Sequence, residues 1–500
     1  MTLLAACVYI LSAVCLGSVL RGIIYRETEK NGVTLIADGL VGSILYSVIM
    51  GVLFHFTTNP ELFQIVWGLF FAISIGLAIA RKTYSRAELG GVIKNSNTVS
   101  SVVHSAAALL LAALTTYGFV GDSNEQEPPV TPEWGHHLDR VVHLNRVPES
   151  MAEDGLPGEV LGHRGVQLTF FPATYLVSPF NAETYVGVYK VIVFYAWFVL
   201  MALLFVIGKE IFGLRSPYSY VLSVGTMFFG AVHYPIFSLQ QSTYAGFLKP
   251  ALGAYHNTTI LGSFVVGMAG IYYFYSGIKN RERSLILGVF LVAASFFYKP
   301  SFFTMLAPPM VIFLFYKYYK NRSRNYLVSV AILFSVPLAW NLYSSLFDLI
   351  EVPLNPAIRP FYLFFRWAEW RFPDFVTNSP VLFGVIVLFC SYLLLIMVSG
   401  SVFLKTRASE IRELIWFIGA TFLMGSVSAL VLVEDNSRLY HGNFAWGGHC
   451  VYLLMMPLLV FGFQNVKNAI YRSACWMVLC LHLYGGVVHL FLVVTEGRIV

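Results

Sequence analysis

Charge is what this sequence has least of. Asp, Glu, Lys and Arg make up 12% of its 500 residues, about half the quarter that covers the surface of a soluble domain. That shortage excludes a soluble enzyme, a nucleic-acid reader and a disordered scaffold. Cysteine is also scarce. Cys7, Cys15, Cys390, Cys450, Cys475 and Cys480 all lie in or beside apolar segments, so no disulfide framework is readable. In place of charge, 57% of the residues are hydrophobic and 16% aromatic. Apolar runs long enough to cross a bilayer, ~20 residues each, recur from Thr2 to Val494. No nucleic-acid partner is expected, because the net charge of +6 is distributed as a membrane protein requires.

Hydropathy places fourteen spans at 2–22, 33–56, 60–80, 98–120, 183–208, 216–239, 257–277, 284–298, 301–318, 326–343, 379–403, 413–433, 447–464 and 474–494. Each should be a helix, since a backbone in lipid must satisfy its own hydrogen bonds. The expected fold is therefore an all-α polytopic membrane protein with about 14 transmembrane helices. The first run lacks a basic start and a clear cleavage site, so it reads as a span and not as a removable signal. Three regions follow: four N-terminal helices in 1–120, an outer loop with interfacial helices in 121–182, and ten further helices in 183–500.

The positive-inside rule assigns the sides. Alternate short connections carry Arg21/Arg26/Lys30, Arg81/Lys82/Arg86/Lys94, Lys209/Arg215, Lys279/Arg281/Arg283, Lys317/Lys320/Arg322/Arg324, Lys405/Arg407/Arg412 and Lys467/Arg472. These hold 21 of the 32 basic residues and seven acids, against 11 bases and 18 acids on the other face. Both termini, the long loops 121–182, 240–256, 344–378 and 434–446, and ten of the twelve histidines then lie outside. Chemistry is expected on that outer face.

Within loop 121–182, residues 133–153 have a helical pattern that ends at Gly155-Leu156-Pro157. His136, Asp139, His143 and Arg146 recur at i, i+3, i+7 and i+10, on one stripe of such a helix. Three readings stand side by side: a general base held by its neighbours, a divalent-metal cluster, or a solvated amphipathic helix on the bilayer. Tyr255-His256-Asn257-Thr258-Thr259 begins a span, where polar side chains cap a helix and free N–H groups attract anions. Lys299 sits between two apolar runs, either snorkelling to the interface or pairing with a phosphate. Arg359, Arg366 and Arg371 stand among aromatics, as an interfacial helix with an aromatic belt or as bidentate phosphate ligands. Glu434, Asp435, Arg438, His441, Asn443 and His449 are denser than a hairpin needs. Asp38 is the one acid inside a span and reads as a packing or pairing residue, or as an ion ligand.

Taken in order, Asp139-x-x-x-His143-Leu-x-Arg146, Gly155-Leu-Pro157 and Phe171-Pro-Ala-Thr-Tyr175 resemble the first large outer loop of C-type (GT-C) membrane glycosyltransferases. Tyr255-His-Asn-Thr-Thr, Lys299-Pro-Ser and His441-Gly-Asn-Phe-Ala-Trp-Gly are similar to blocks in bacterial polysaccharide-assembly membrane proteins of that type. The resemblance implies a polyprenyl-phosphate or polyprenyl-pyrophosphate sugar donor, a glycan or lipid acceptor hydroxyl, and inversion at the anomeric carbon. Asp139 would be the general base. His143 and His136 would orient it or join it in binding Mg or Mn. Lys299, Arg359, Arg366 and Arg438 would neutralise the departing phosphate, and His256, Asn257, His441 and Asn443 would shape the site. The location implied is a bacterial inner (plasma) membrane, among membrane lipids.

The sequence departs from that pattern in two respects. Four spans precede the acidic loop where the family has one, and no sizeable soluble domain follows the last span. Glu133, Asp122 or Glu434 could therefore take the role of base. Two other functions stay open. One is an O-antigen-type polymerase or ligase with an arginine-centred site. The other is a transporter or flippase of lipid-linked substrate, which calls for internal repeats and ionisable groups at the bilayer midplane.

Overall fold

A computed structural model describes residues 2–24, 32–56, 60–80, 108–110, 112, 182–229, 258–279, 282–346, 356–362, 365, 378–406, 411–434 and 443–496. Helix accounts for nearly all of these residues. In chain order they are α1 (Thr2–Ile24), α2 (Gly32–Phe56), α3 (Pro60–Ala80), α4 (Ala182–Val206), α5 (Ser216–Ser223), α6 (Thr258–Lys279), α7 (Glu282–Tyr298), α8 (Pro300–Asn321), α9 (Arg324–Leu346), α10 (Pro380–Thr406), α11 (Arg412–Val431), α12 (Asn443–Gln464) and α13 (Ala469–Glu496). Two short strands, β1 (Pro356–Ile358) and β2 (Leu432–Glu434), pair antiparallel. Among the described residues, five helical stretches are long and apolar enough to cross a membrane: Leu3–Gly22, Lys190–Ile211, Ile260–Lys279, Pro300–Asn321 and Arg412–Val431. That is consistent with an integral membrane protein.

The chain divides into two compact units, one comprising Met1–Val199 with Leu338–Glu351 and the other Leu200–Pro337 with Val352–Val500. In the first unit, small residues let α1 and α2 approach backbone to backbone. A Cβ on Gly17 would overlap the Asp38 carbonyl, and one on Gly42 would overlap that of Ala13. An aromatic cluster joins α3 to this pair. The Tyr46 ring meets those of Trp67 and Phe71 edge-on at 5.5 and 5.4 Å between centroids, a favoured aromatic geometry.

The second unit is built on the α6–α7 hairpin. Gly277 lies against Leu285, Phe274 against Gly288, and Gly270 against Val292. The three contacts keep one antiparallel register, so glycine lets the two helices stay close along much of their length. One residue, Lys299, links α7 to α8. Its extended backbone (φ −152°, ψ 110°) precedes Pro300 at the first helical position, where the absent N–H costs nothing and the fixed φ suits a helix. α8 ends on Arg322 in the left-handed region (φ 57°), and α9 begins two residues later.

Three expectations are corrected here. The span expected at 216–239 is not one continuous α-helix over its described part, because α5 ends at Ser223 and a 3-10 turn occupies Gly225–Phe228. Side-chain hydroxyls compete with the ladder at that point: Ser223 donates to Met201 O (2.7 Å) and Thr226 to Leu222 O. Arg21 and Lys317, at the ends of the spans placed at 2–22 and 301–318 and grouped with the basic connections there, lie inside α1 and α8 and are buried instead of facing the polar side. Each has found an acid: Asp38 for Arg21 and Glu413 for Lys317. Arg359, expected on an interfacial helix, directly follows a strand.

Candidate functional site

Helix direction decides which chain segments share an end of the second unit. Lys317 near the finish of α8 pairs with Glu413 at the start of α11, and the Phe313 and Phe417 rings lie 5.5 Å apart. These two helices are therefore antiparallel. The Phe274 ring of α6 packs against both, tilted, at 5.9 and 5.4 Å between centroids, and Tyr275 and Lys279 near its finish line one cavity with Lys317 and Glu413. α6 thus runs with α8. At the opposite end, a Cβ on Gly447 of α12 would come within 2.6 Å of Met305 near the start of α8. The starts of α6, α8 and α12 accordingly face the same end as the finish of α11.

That end carries several of the residues expected to act. Lys299 precedes α8, Asn443 opens α12, and α6 begins one residue after Asn257. The strands add two more. Pro356 is paired with Glu434, Ala357 with Val433 and Ile358 with Leu432. The ladder then runs on, with Arg359 N donating to Val431 O (2.8 Å) and Phe361 N to Leu430 O (2.5 Å). Arg359 and Glu434, 75 positions apart in sequence, therefore belong to one short ladder. Arg359 lies three residues, ~10 Å along its strand, from the Pro356–Glu434 pair. The Arg359 guanidinium lies 5.7 Å over the Tyr362 ring, a cation–π contact that steadies an exposed cation.

The helix starts at this end, with Lys299 before α8 and Arg359 after β1, suit an anionic group. Free N–H groups and dipoles at helix starts attract negative charge. A cation near the headgroup level can stabilise a phosphate, and a carboxylate can accept a proton. Asp139, His136, His143, Arg366, His256, Asn257, Arg438 and His441 lie outside the described residues, as do Asp122 and Glu133. The His136/Asp139/His143 metal proposal is among these. Among the described residues no group of three or more His, Cys, Asp or Glu could hold a metal ion.

Two polar features escaped the sequence reading. Tyr272 donates its hydroxyl to Glu210 Oε2 at 2.6 Å, and Glu210 sits in a π-helical turn, Ile207–Ile211, that extends α4. At the far end of α8, Lys317 and Lys320 share Glu413. The only signal in the sequence was an acid just after a basic connection, which resembles an ordinary helix start. Comparison with family models, curated proteins and solved structures finds no match to this chain.

Proposed function

We propose that the chain is a membrane glycosyltransferase. It moves a sugar from a polyprenyl-(pyro)phosphate donor to an acceptor hydroxyl at the outer face of a bacterial inner membrane, during cell-surface polysaccharide or glycolipid assembly. In this reading fourteen helices span the bilayer in a GT-C-like arrangement, with both termini outside. The observation that supports it best is the β1–β2 ladder, which ties a basic, aromatic outer loop to Glu434 at the end where α6, α8 and α12 begin.

The chemistry balances simply. The acceptor hydroxyl loses its proton to a carboxylate and its oxygen attacks the anomeric carbon. The bond from that carbon to the phosphate oxygen breaks, and the electron pair leaves with the lipid phosphate. Negative charge grows on the leaving group, so preorganised cations in a poorly screened site lower the barrier. Asp139 takes the proton in the leading assignment, with His143 orienting it. Glu434 is the alternative base. Lys299, Arg359, Arg366 and Arg438 receive the phosphate, while His136, His256, Asn257, His441 and Asn443 hold donor and acceptor. If Mg or Mn takes part, His136, Asp139 and His143 are its expected ligands.

The test is transfer of labelled sugar from a polyprenyl-phosphate donor by the purified chain. Asp139→Asn should abolish transfer while leaving the folded protein intact. Full activity in that variant, with loss in Glu434→Gln, Glu133→Gln or Asp122→Asn, would move the base to that residue; full activity in all four would remove the proposal. Arg359 on the ladder also favours a second reading, transfer of a whole glycan by an arginine-centred polymerase or ligase. An oligosaccharide-loaded donor consumed in preference to a single-sugar donor would select it.

A further inference from the structure

Phe361 holds a backbone conformation that aromatic residues rarely take. Its φ of 58° lies in the left-handed region, which suits glycine or asparagine and penalises a bulky side chain. Arg322, the other non-glycine residue of positive φ among the described residues, ends a helix, where that conformation is common. Phe361 instead lies in a turn, because Tyr362 N donates to Arg359 O at 3.2 Å. Arg359-Pro360-Phe361-Tyr362 thus has proline second and a positive φ third, the type II pattern whose third place goes to glycine or asparagine. The backbone is fixed there by α11. The last carbonyls of a helix lack helical partners, and those of Val431 and Leu430 accept from Arg359 N and Phe361 N. Glycine would meet all of these backbone demands, so they do not account for the ring.

We propose that the Phe361 ring, with Ile358 and Pro360, forms a ledge that holds the hydrocarbon chain of the polyprenyl-phosphate donor. Ile358 is 75% and Phe361 41% exposed, and Pro360 is exposed as well. The Phe365 ring lies 6.3 Å from that of Phe361. None of these side chains carries a hydrogen-bonding group, so the surface suits hydrocarbon and not a sugar. Arg359 stands among them with its guanidinium over Tyr362. A cation set in an apolar ledge complements a phosphate that carries a hydrocarbon tail. The ledge itself is uncharged and holds hydrocarbon whatever else Arg359 pairs with.

Bulk lipid would be served as well by an apolar side chain on relaxed backbone. Residues kept on strained backbone cluster at ligand clamps and active sites, and this one lies at the end where α6, α8 and α12 begin. The identity of the lipid rests on the transferase reading.

Phe361→Asn keeps the turn and removes the ring, so stability and binding should part company. The full chain is purified into phosphatidylcholine nanodiscs, and native mass spectrometry titrates a polyprenyl phosphate and, in a second arm, phosphatidic acid. Phe361→Asn should melt at the wild-type temperature or above it. It should bind polyprenyl phosphate roughly tenfold more weakly, the share of one partly exposed aromatic side chain. Phe361→Trp, which keeps a ring, should bind as wild type does. Phe361→Gly repeats the test should the asparagine variant fail to fold. Unchanged affinity without the ring overturns the ledge. So does a loss that comes with a lower melting temperature, which would make the ring a packing residue. Phosphatidic acid bound with the same dependence on Phe361, in place of polyprenyl phosphate, would give the surface to bulk phospholipid and also overturn it. Sugar transfer is assayed on the same preparations. Transfer with binding indifferent to Phe361 removes the ledge and leaves the transferase; ring-dependent binding without transfer does the reverse.

Discussion

Arg21 holds Asp38 with two hydrogen bonds, Nε to Oδ1 at 2.8 Å and Nη2 to Oδ2 at 3.1 Å. The two side chains are 4% and 1% exposed. Two charges this deep persist because each neutralises the other in a fork geometry. Losing one partner strands the other. Asp38→Asn or Arg21→Gln should each lower stability by about 3–5 kcal/mol, whereas replacing both with Leu should recover most of it. Thermal unfolding of the four proteins in detergent checks this, and additive losses would contradict it.

The α6–α7 hairpin makes a second prediction. A Cβ on Gly288 would overlap the Phe274 backbone, whereas one on Gly419 of α11 would meet nothing within 4 Å. Gly288→Ala should therefore separate the helices and lower the melting temperature. Gly419→Ala should be neutral or stabilising by about 0.5–1 kcal/mol, the helix cost of glycine relative to alanine. A melting comparison of both variants with wild type decides it.

Much of the helical layout was legible in the sequence. Apolar runs at 2–22, 33–56, 60–80 and 301–318 correspond closely to α1, α2, α3 and α8, because length and apolarity both mark a bilayer-spanning helix. Charge was read less well. A basic residue beside an apolar run looks like a loop anchor, and only tertiary packing reveals that Arg21 and Lys317 have turned inward to carboxylates. The pairing of 356–358 with 432–434 was also invisible, since three-residue strands carry no usable periodicity. The expected site was legible in composition only. Of its residues, Lys299, Arg359, Glu434 and Asn443 fall within the described structure.

Sidedness is open to direct measurement. A cysteine at Arg359 should react with a membrane-impermeant thiol reagent in intact cells, in a background lacking all six native cysteines. One at Lys320 should react only after permeabilisation. Equal reactivity at both positions would invalidate the two-sided arrangement.

Donor binding should weaken when the cations at the start of α8 and after β1 are removed. Lys299→Ala and Arg359→Ala should each raise the donor concentration for half-maximal transfer by roughly tenfold, with acceptor dependence unchanged. Initial-rate kinetics over a donor series reads this out.

The central claim is met most directly by photocrosslinking. A polyprenyl-phosphate probe with a photoreactive group beside the phosphate is bound to the purified chain, irradiated, and its attachment sites mapped by mass spectrometry. The account predicts labels at 258–262, 299–303, 356–362 and 432–447, competed by natural donor. Competed labels confined to 275–279, 313–320 and 412–414, or none at all, would contradict it.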